Sequence, residues 1–182
     1  MNFPQPKWAA LLPRETVLNL ATLGPVGTAL RAPGTWGSAA GTLFFFLCCH
    51  PLSDLDLVLV AAVFGYLAIG LCGQAAVLLG RTDPGEVILD EFVAMPLCFI
   101  GWRLIAFPGF LGFVTILICG FALFRFYDIR KPGVIDRLQQ LPGGWGIVID
   151  DTGAALATCA TLHAGHLLYY LVHHPAAAAA QP

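Results

Sequence analysis

Long apolar runs, separated by a few short polar interruptions, organise this chain. Five runs stand out, at residues 36–50, 55–79, 92–106, 110–126 and 152–172. A hydrocarbon core of about 30 Å needs roughly 20 helical residues at about 1.5 Å rise each, so the second and fifth runs are long enough to cross it and the other three are short. Phe107-Pro108-Gly109 supplies turn chemistry between the third and fourth runs, and Pro96 predicts a kink inside the third. The pattern therefore predicts an all-α, membrane-embedded helical bundle of about five spans with short or kinked helices. Val134, Leu138 and Leu141 fall on one face of a helix whose other face carries Asp136, Arg137, Gln139 and Gln140, which predicts an interfacial amphipathic helix. Pro142-Gly143-Gly144-Trp145-Gly146 reads as a flexible loop after it. Residues 1–20 read as an interfacial lead-in, 21–175 as one membrane-embedded domain and 176–182 as a low-complexity tail.

Composition makes the membrane reading firm. Hydrophobic residues are 58% of the 182 and charged residues 11%, far below the roughly 25% of a soluble domain. Mean hydropathy is +0.78. The net charge of -2 says nothing about partners. All six cysteines lie in apolar runs without a C-x-x-C pair, so neither a disulfide framework nor a zinc site is indicated. The first twenty residues carry Trp8, Pro13, Arg14 and Glu15 where a signal peptide would need a basic start and an apolar core. With five spans, Lys7, Arg14, Arg31, Arg81, Arg125, Arg130, Lys131 and Arg137 share one side and Arg103 lies opposite. The excess of positive charge predicts that the shared side is cytoplasmic.

Charged residues gather in three places: Arg81, Asp83, Glu86, Asp90 and Glu91; Arg125, Asp128, Arg130, Lys131, Asp136 and Arg137; and Asp150 with Asp151. A charge at the centre of a membrane helix costs roughly 2.5–3.5 kcal/mol on insertion scales, so those kept are functional candidates. Glu86 and Asp90 are four apart, on one face if helical, with Glu91 adjacent. Three acids with no base in the next turn repel unless they share a divalent cation, although acids also favour helix N-termini. Asp150-Asp151 repeats the theme at the mouth of the fifth run, where one of them could instead be a plain N-cap. Asp128 sits one turn from both Arg125 and Lys131. Either the three form intrahelical ion pairs, or Asp128 serves a metal while the two cations serve an anionic substrate.

Ala32-Pro33-Gly34-Thr35-Trp36-Gly37-Ser38 is a turn feeding a helix, a place that offers N–H groups and the hydroxyls of Thr35 and Ser38 to a phosphate. Gly37 and Gly41 equally form a G-x-x-x-G packing pair, with Thr35 or Ser38 an ordinary cap. Donors that are all oxygen suit Mg²⁺, which takes one or two carboxylates together with substrate phosphate. The sum is a metal-dependent phosphoryl site on one membrane face. The C-x5-R spacing of Cys119 and Arg125 encloses a membrane helix and no phosphate loop. His163 and His166 read as interhelical hydrogen-bond partners.

Four ordered motifs carry a resemblance. They are Pro33-Gly34-Thr35-Trp36-Gly37-Ser38, Asp83-Pro84-Gly85-Glu86-Val87-Ile88-Leu89-Asp90-Glu91-Phe92, Phe124-Arg125-Phe126-Tyr127-Asp128-Ile129-Arg130-Lys131-Pro132 and Gly143-Gly144-Trp145-Gly146-Ile147-Val148-Ile149-Asp150-Asp151. Together they resemble the bacterial phosphatidylglycerophosphatase A family over about residues 20 to 155. The resemblance implies a Mg²⁺-dependent enzyme of the bacterial inner membrane, its site facing the cytoplasm, that converts phosphatidylglycerophosphate to phosphatidylglycerol and inorganic phosphate. The corresponding expectation is Mg²⁺ held by Asp90, Glu91, Asp128, Asp150 and Asp151, with Asp151 or Glu86 taking a proton from the attacking water. Arg125, Lys131, Thr35 and Ser38 would neutralise charge on the phosphoryl oxygens. The haloacid-type D-x-D-x-T pattern of a phospho-aspartate enzyme is absent. A CDP-alcohol phosphatidyltransferase would share the setting but needs a D-G-x-x-A-R pattern that the chain lacks. A small metal or ion transporter would carry ionisable groups along its spans rather than at their mouths.

Overall fold

The computed structural model describes residues 4–174; the Ala-rich tail call lies outside them. The described residues are mostly helical, without a strand. A 3₁₀ turn at Trp8–Leu11 leads into α1 (Arg14–Ala21), α2 (Pro25–Ala29) and α3 (Pro33–Phe44), which continues as a π turn over Phe45–Cys49. α4 (Asp54–Leu79) follows, then α5 (Leu89–Ala94), which tightens into a 3₁₀ segment at Met95–Phe99. α6 (Trp102–Ile105), α7 (Phe110–Arg130), α8 (Val134–Leu138) and α9 (Gly144–His173) complete the chain. Among the described residues, only α4, α7 and α9 are long and apolar enough to cross a membrane, so the fourth run, read as short, is a full-length helix. The first and third apolar runs are the short, irregular ones.

Local chemistry explains the boundaries. Ser53 caps α4 by accepting the Asp56 N–H at 3.2 Å, and its own hydroxyl donates to Asp56 at 2.7 Å, with Asp54 and Asp56 favoured by the dipole of the first turn. Gly80, at φ +67°, ends α4 with N–H groups of residues 80 and 81 returned to Val77 and Ala76. The predicted break at Phe107-Pro108-Gly109 separates α6 from α7, Gly109 adopting φ +90°. Pro96 lies in the 3₁₀ segment where a kink was expected.

The long helix α4 runs between two ends of the bundle. At one end, Asp54 accepts the N–H of Gly101 at 2.9 Å, and Arg103 donates to the carbonyls of Leu52 and His50. These bonds tie the close of the first run, the start of α4 and α6 together. α4 is 26 residues, hence about 39 Å long, and carries Arg81 past its far end. The broken third run lies inside the bundle. Met95, Cys98 and Phe99 are fully buried there, Phe99 stacks on Phe45 at 4.5 Å, and its backbone irregularity is enclosed by protein rather than lipid. Glycines set the close approaches: a Cβ on Gly37 would stand 2.9 Å from Ile88 and one on Gly41 2.7 Å from Met95, so the G-x-x-x-G pair does pack α3 against α5. His163 bonds the carbonyl of Ile100, in the turn before α6, at 2.8 Å, while His166 meets the ring of Phe107, so the interhelical reading holds for neither in full.

Three expectations need correction. The glycines after Pro142 are no flexible loop, because Gly144 already begins α9; a Cβ there would collide with the backbone of Ile69 and Gly73 in α4, so glycine serves helix packing. The amphipathic helix is a single short stretch that buries Ile135 rather than Val134, which is 67% exposed. The lead-in is not merely interfacial: Ala9, Val17 and Ala21 are fully buried, Val17 and Ala21 in the core that α1 shares with α4.

Candidate active site

The second end gathers the charged clusters. Asp90 and Glu91 stand in the first turn of α5, and Asp151 lies in the third turn of α9. One carboxylate oxygen from each lies within 4.8 Å of the others. Asp90, Asp150 and Asp151 are 6%, 4% and 4% exposed. With Asp83, Asp128 and Lys131 they line a cavity of about 120 Å³. Asp83, named in the first charge cluster but given no role, sits at its mouth. Its signal was proximity in sequence to the acids, which does not by itself say which way a loop residue turns.

Two cations face these acids, and both are engaged. Arg125 Nη1 bonds Asp128 at 2.6 Å, lies 3.8 Å from Glu91 and reaches Ser38 Oγ at 3.3 Å. Lys131 bonds Asp150 at 2.5 Å and Gln139 at 2.8 Å. It is held at φ +43°, a left-handed conformation that costs a non-glycine residue roughly 1–2 kcal/mol. Partial burial would lower the Lys131 pKa, but the hydrogen bond to Asp150 and the charges of Asp150, Asp151 and Asp128 outweigh it and leave the ammonium raised. Of the two intrahelical pairs the spacing allowed, Arg125–Asp128 exists, whereas Lys131 pairs with Asp150 of α9 instead of Asp128. Asp128, Lys131 and Asp150 line the cavity, and Arg125 reaches it through Asp128 and Glu91.

Six carboxyl groups, those of Asp83, Asp90, Glu91, Asp128, Asp150 and Asp151, against two cations leave the site short of positive charge. Asp90 Oδ1, Glu91 Oε2 and Asp150 Oδ1 are buried without any hydrogen-bond partner. Buried orphan oxygens of this kind are costly unless something else binds them. The donors that converge within 4.8 Å are all carboxylate oxygen, a set that fits a small divalent cation.

α3 makes room for this arrangement. A Cβ on Gly34 would strike the Glu91 carboxylate and stand 3.3 Å from Arg125 Nη1; one on Gly37 would be 3.2 Å from Glu91 Oε2. Ser38 is fully buried and donates to the Gly34 carbonyl at 2.8 Å. It touches the cluster through Arg125. Thr35 does not line the cavity, and its N–H is already given to Ala32 at 3.0 Å. Glu86 is placed elsewhere: α5 starts only at Leu89, Val87 and Ile88 are buried ahead of it, and Ile88 N–H bonds the Ala21 carbonyl. Glu86 pairs with Arg81 and lines a separate cavity of about 400 Å³ beside Leu18 and Thr22. Nor are Asp150 and Asp151 capping residues, since they lie six and seven positions inside α9.

The comparisons with known proteins bear on this cavity. The family model of phosphatidylglycerophosphatase A matches residues 19–166, which include every lining residue. The chain belongs to the phosphatidylglycerophosphatase A family. It is 38% identical to the phosphatidylglycerophosphatase A of Haemophilus influenzae over 126 residues, 69% of this chain and 73% of that protein. It is 31% identical to the phosphatidylglycerophosphatase A of Escherichia coli over 149 residues, 78% and 75% of the two chains. No solved structure matches. Family membership makes the chain an enzyme, a phosphatase, and its apolar helices associate it with a membrane.

Proposed function

We propose that the enzyme removes the terminal phosphate of phosphatidylglycerophosphate in a Mg²⁺-dependent hydrolysis, at the cytoplasmic face of the bacterial inner membrane. The observation that carries this is the convergence of Asp90, Glu91 and Asp151 within 4.8 Å, with orphaned oxygens, between Arg125 and Lys131. Asp90, Glu91 and Asp151 would hold the ion, with Asp128 and Asp150 beside them. A bound Mg²⁺ supplies Lewis acidity toward the phosphoryl oxygens and lowers the pKa of a coordinated water.

The chain's own residues do the rest. Arg125 and Lys131 neutralise charge that grows on the phosphoryl oxygens. Asp128 and Asp150, which hold these cations, would also be in place to serve a bound ion, leaving Arg125 and Lys131 to the phosphoryl group. Of the two carboxylates considered as proton acceptor, Asp151 lies in the cavity and Glu86 does not, so Asp151 takes the role. A wider groove of about 730 Å³ adjoins the cavity and shares Asp83, Ile147 and Asp150 with it. It runs between α4 and α9 past Ala76 and Val77, and would admit the lipid headgroup while the acyl chains stay in the bilayer.

Purified protein should release inorganic phosphate from phosphatidylglycerophosphate, lose that activity to a chelator and regain it with Mg²⁺. Activity that survives exhaustive chelation would remove the metal from the mechanism. Cysteines placed at Asp83 and Gly133, in a background without the native six, should be protected from an impermeant thiol reagent in intact cells, and one at Asp56 labelled. The reverse pattern would turn the site to the outside.

A further inference from the structure

Residues before 19 fall outside the stretch that matches the family, yet they pack against the two helices that line the groove. The Gln5 side chain lies between α4 and the first turn of α9. Its Nε2 donates to the Ile69 carbonyl at 2.8 Å, and its Oε1 accepts the N–H of Gly144 at 3.0 Å. One amide joins two helices. Beside it, the Trp145 indole donates to the Pro4 carbonyl at 3.2 Å. Trp8 covers Gly70, where a Cβ would stand 2.5 Å from its ring. Cβ atoms on Gly73 or Gly143 would run into the Gln5 amide. Glycines on both partners thus clear the volume that this N-terminal segment fills.

The consequence reaches the site along α9. The N–H of Gly144 is one of the orphan donors of a helix start, and Gly144 is buried, so without Gln5 it would be left unpaired. Asp150 and Asp151 lie six and seven residues further on, about 9 and 10.5 Å down the same helix. Gly73, Gly143, Gly146, Ile147 and Asp150 also line the groove that adjoins the acidic cavity. A shift of the first turn of α9 therefore moves both carboxylates and the groove wall together.

We propose that Gln5 is a positioning residue: it locks the first turn of α9 against α4 and so sets where the Asp150 and Asp151 carboxylates stand. The catalytic consequence rests on the phosphatase reading above; the effect on α9 does not. The test uses the full chain in detergent, as wild type, Gln5→Ala and Gln5→Glu, followed by amide hydrogen exchange over residues 144–148, kinetics and Mg²⁺ titration. Gln5→Ala should speed exchange at 144–148 by about tenfold or more. It should lower kcat about tenfold with KM little changed, and raise the Mg²⁺ concentration for half-maximal rate. Glu can still accept from Gly144 but cannot donate to Ile69, so Gln5→Glu should fall between the two. Unchanged exchange at 144–148 overturns the proposal. So does a lower melting temperature with unaltered kcat and Mg²⁺ requirement, which marks a purely structural strap. If the wild-type chain releases no phosphate, the phosphatase reading fails by itself, and exchange at 144–148 still decides whether Gln5 locks α9.

Discussion

The two ends of the bundle both carry charged side chains, but they use them in opposite ways. At the end around Gly101, Asp54 is spent on one backbone N–H and Arg103 on two backbone carbonyls. At the other end, oxygens of Asp90, Glu91 and Asp150 are buried with nothing to bind, and the two cations are held by carboxylates. A polar group satisfied by backbone has its role in the fold. Buried orphans also occur singly, at Trp8 Nε1 and His50 Nδ1, but only beside the acids do several carboxylate oxygens converge, which makes that end the candidate ligand site among the described residues.

The sharpest way to break this contrast is at the acids. Asp90→Asn and Asp151→Asn should each lower turnover by at least about 100-fold while the protein still folds and inserts, because on the metal-dependent mechanism proposed above each would remove a ligand charge. A variant that keeps a tenth of wild-type rate at saturating Mg²⁺ would show that its residue is not a ligand. Arg125→Ala comes next, with kcat/KM falling about 10- to 100-fold and the Mg²⁺ requirement little changed. A strong rise in that requirement would instead make Arg125 the holder of Asp128 and Glu91. Gly34→Ala should cost about tenfold in rate, since the new methyl pushes the Glu91 carboxylate aside without touching its charge.

The opposite end predicts a different kind of loss. Asp54→Ala leaves the Gly101 N–H without its acceptor and should lower stability by about 2 kcal/mol, read as a lower melting temperature in detergent, with kcat per folded molecule unchanged. A fall in kcat would mean that the two ends are coupled through α4. The smallest effect belongs to Glu86→Gln. Paired with Arg81 and turned away from the cavity, it should alter rate and stability by no more than about 0.5 kcal/mol. A loss comparable to that of Asp151→Asn would return Glu86 to the site.

Glu86 and Asp90 illustrate how far a linear pattern reaches. Four residues apart, they share a face only if the backbone between them is helical. Here Val87 and Ile88 are pulled into the core and the helix begins three residues later than the spacing assumed. Gly144 shows the same limit from the other side. A glycine run resembles a loop until a neighbouring backbone, here Ile69 of α4, makes glycine a condition for helix packing. The reading of α3 was open between phosphate cradle and packing stripe, and Gly37 and Gly41 pack against Ile88 and Met95.

By itself the sequence determined the solvent, the helical class and the chemistry available. Hydropathy excludes a soluble fold, turn residues mark the breaks, and charge is too costly in lipid to be scattered, so its clusters name the site. Only the tertiary structure decided which acids converge, which cations they engage, that Glu86 faces elsewhere, and that Gln5 reaches across 139 residues to the start of α9. The physical reason is range. Propensity and hydropathy act over a few neighbouring residues, whereas a binding site is made by groups brought together through packing, and packing depends on the whole chain at once.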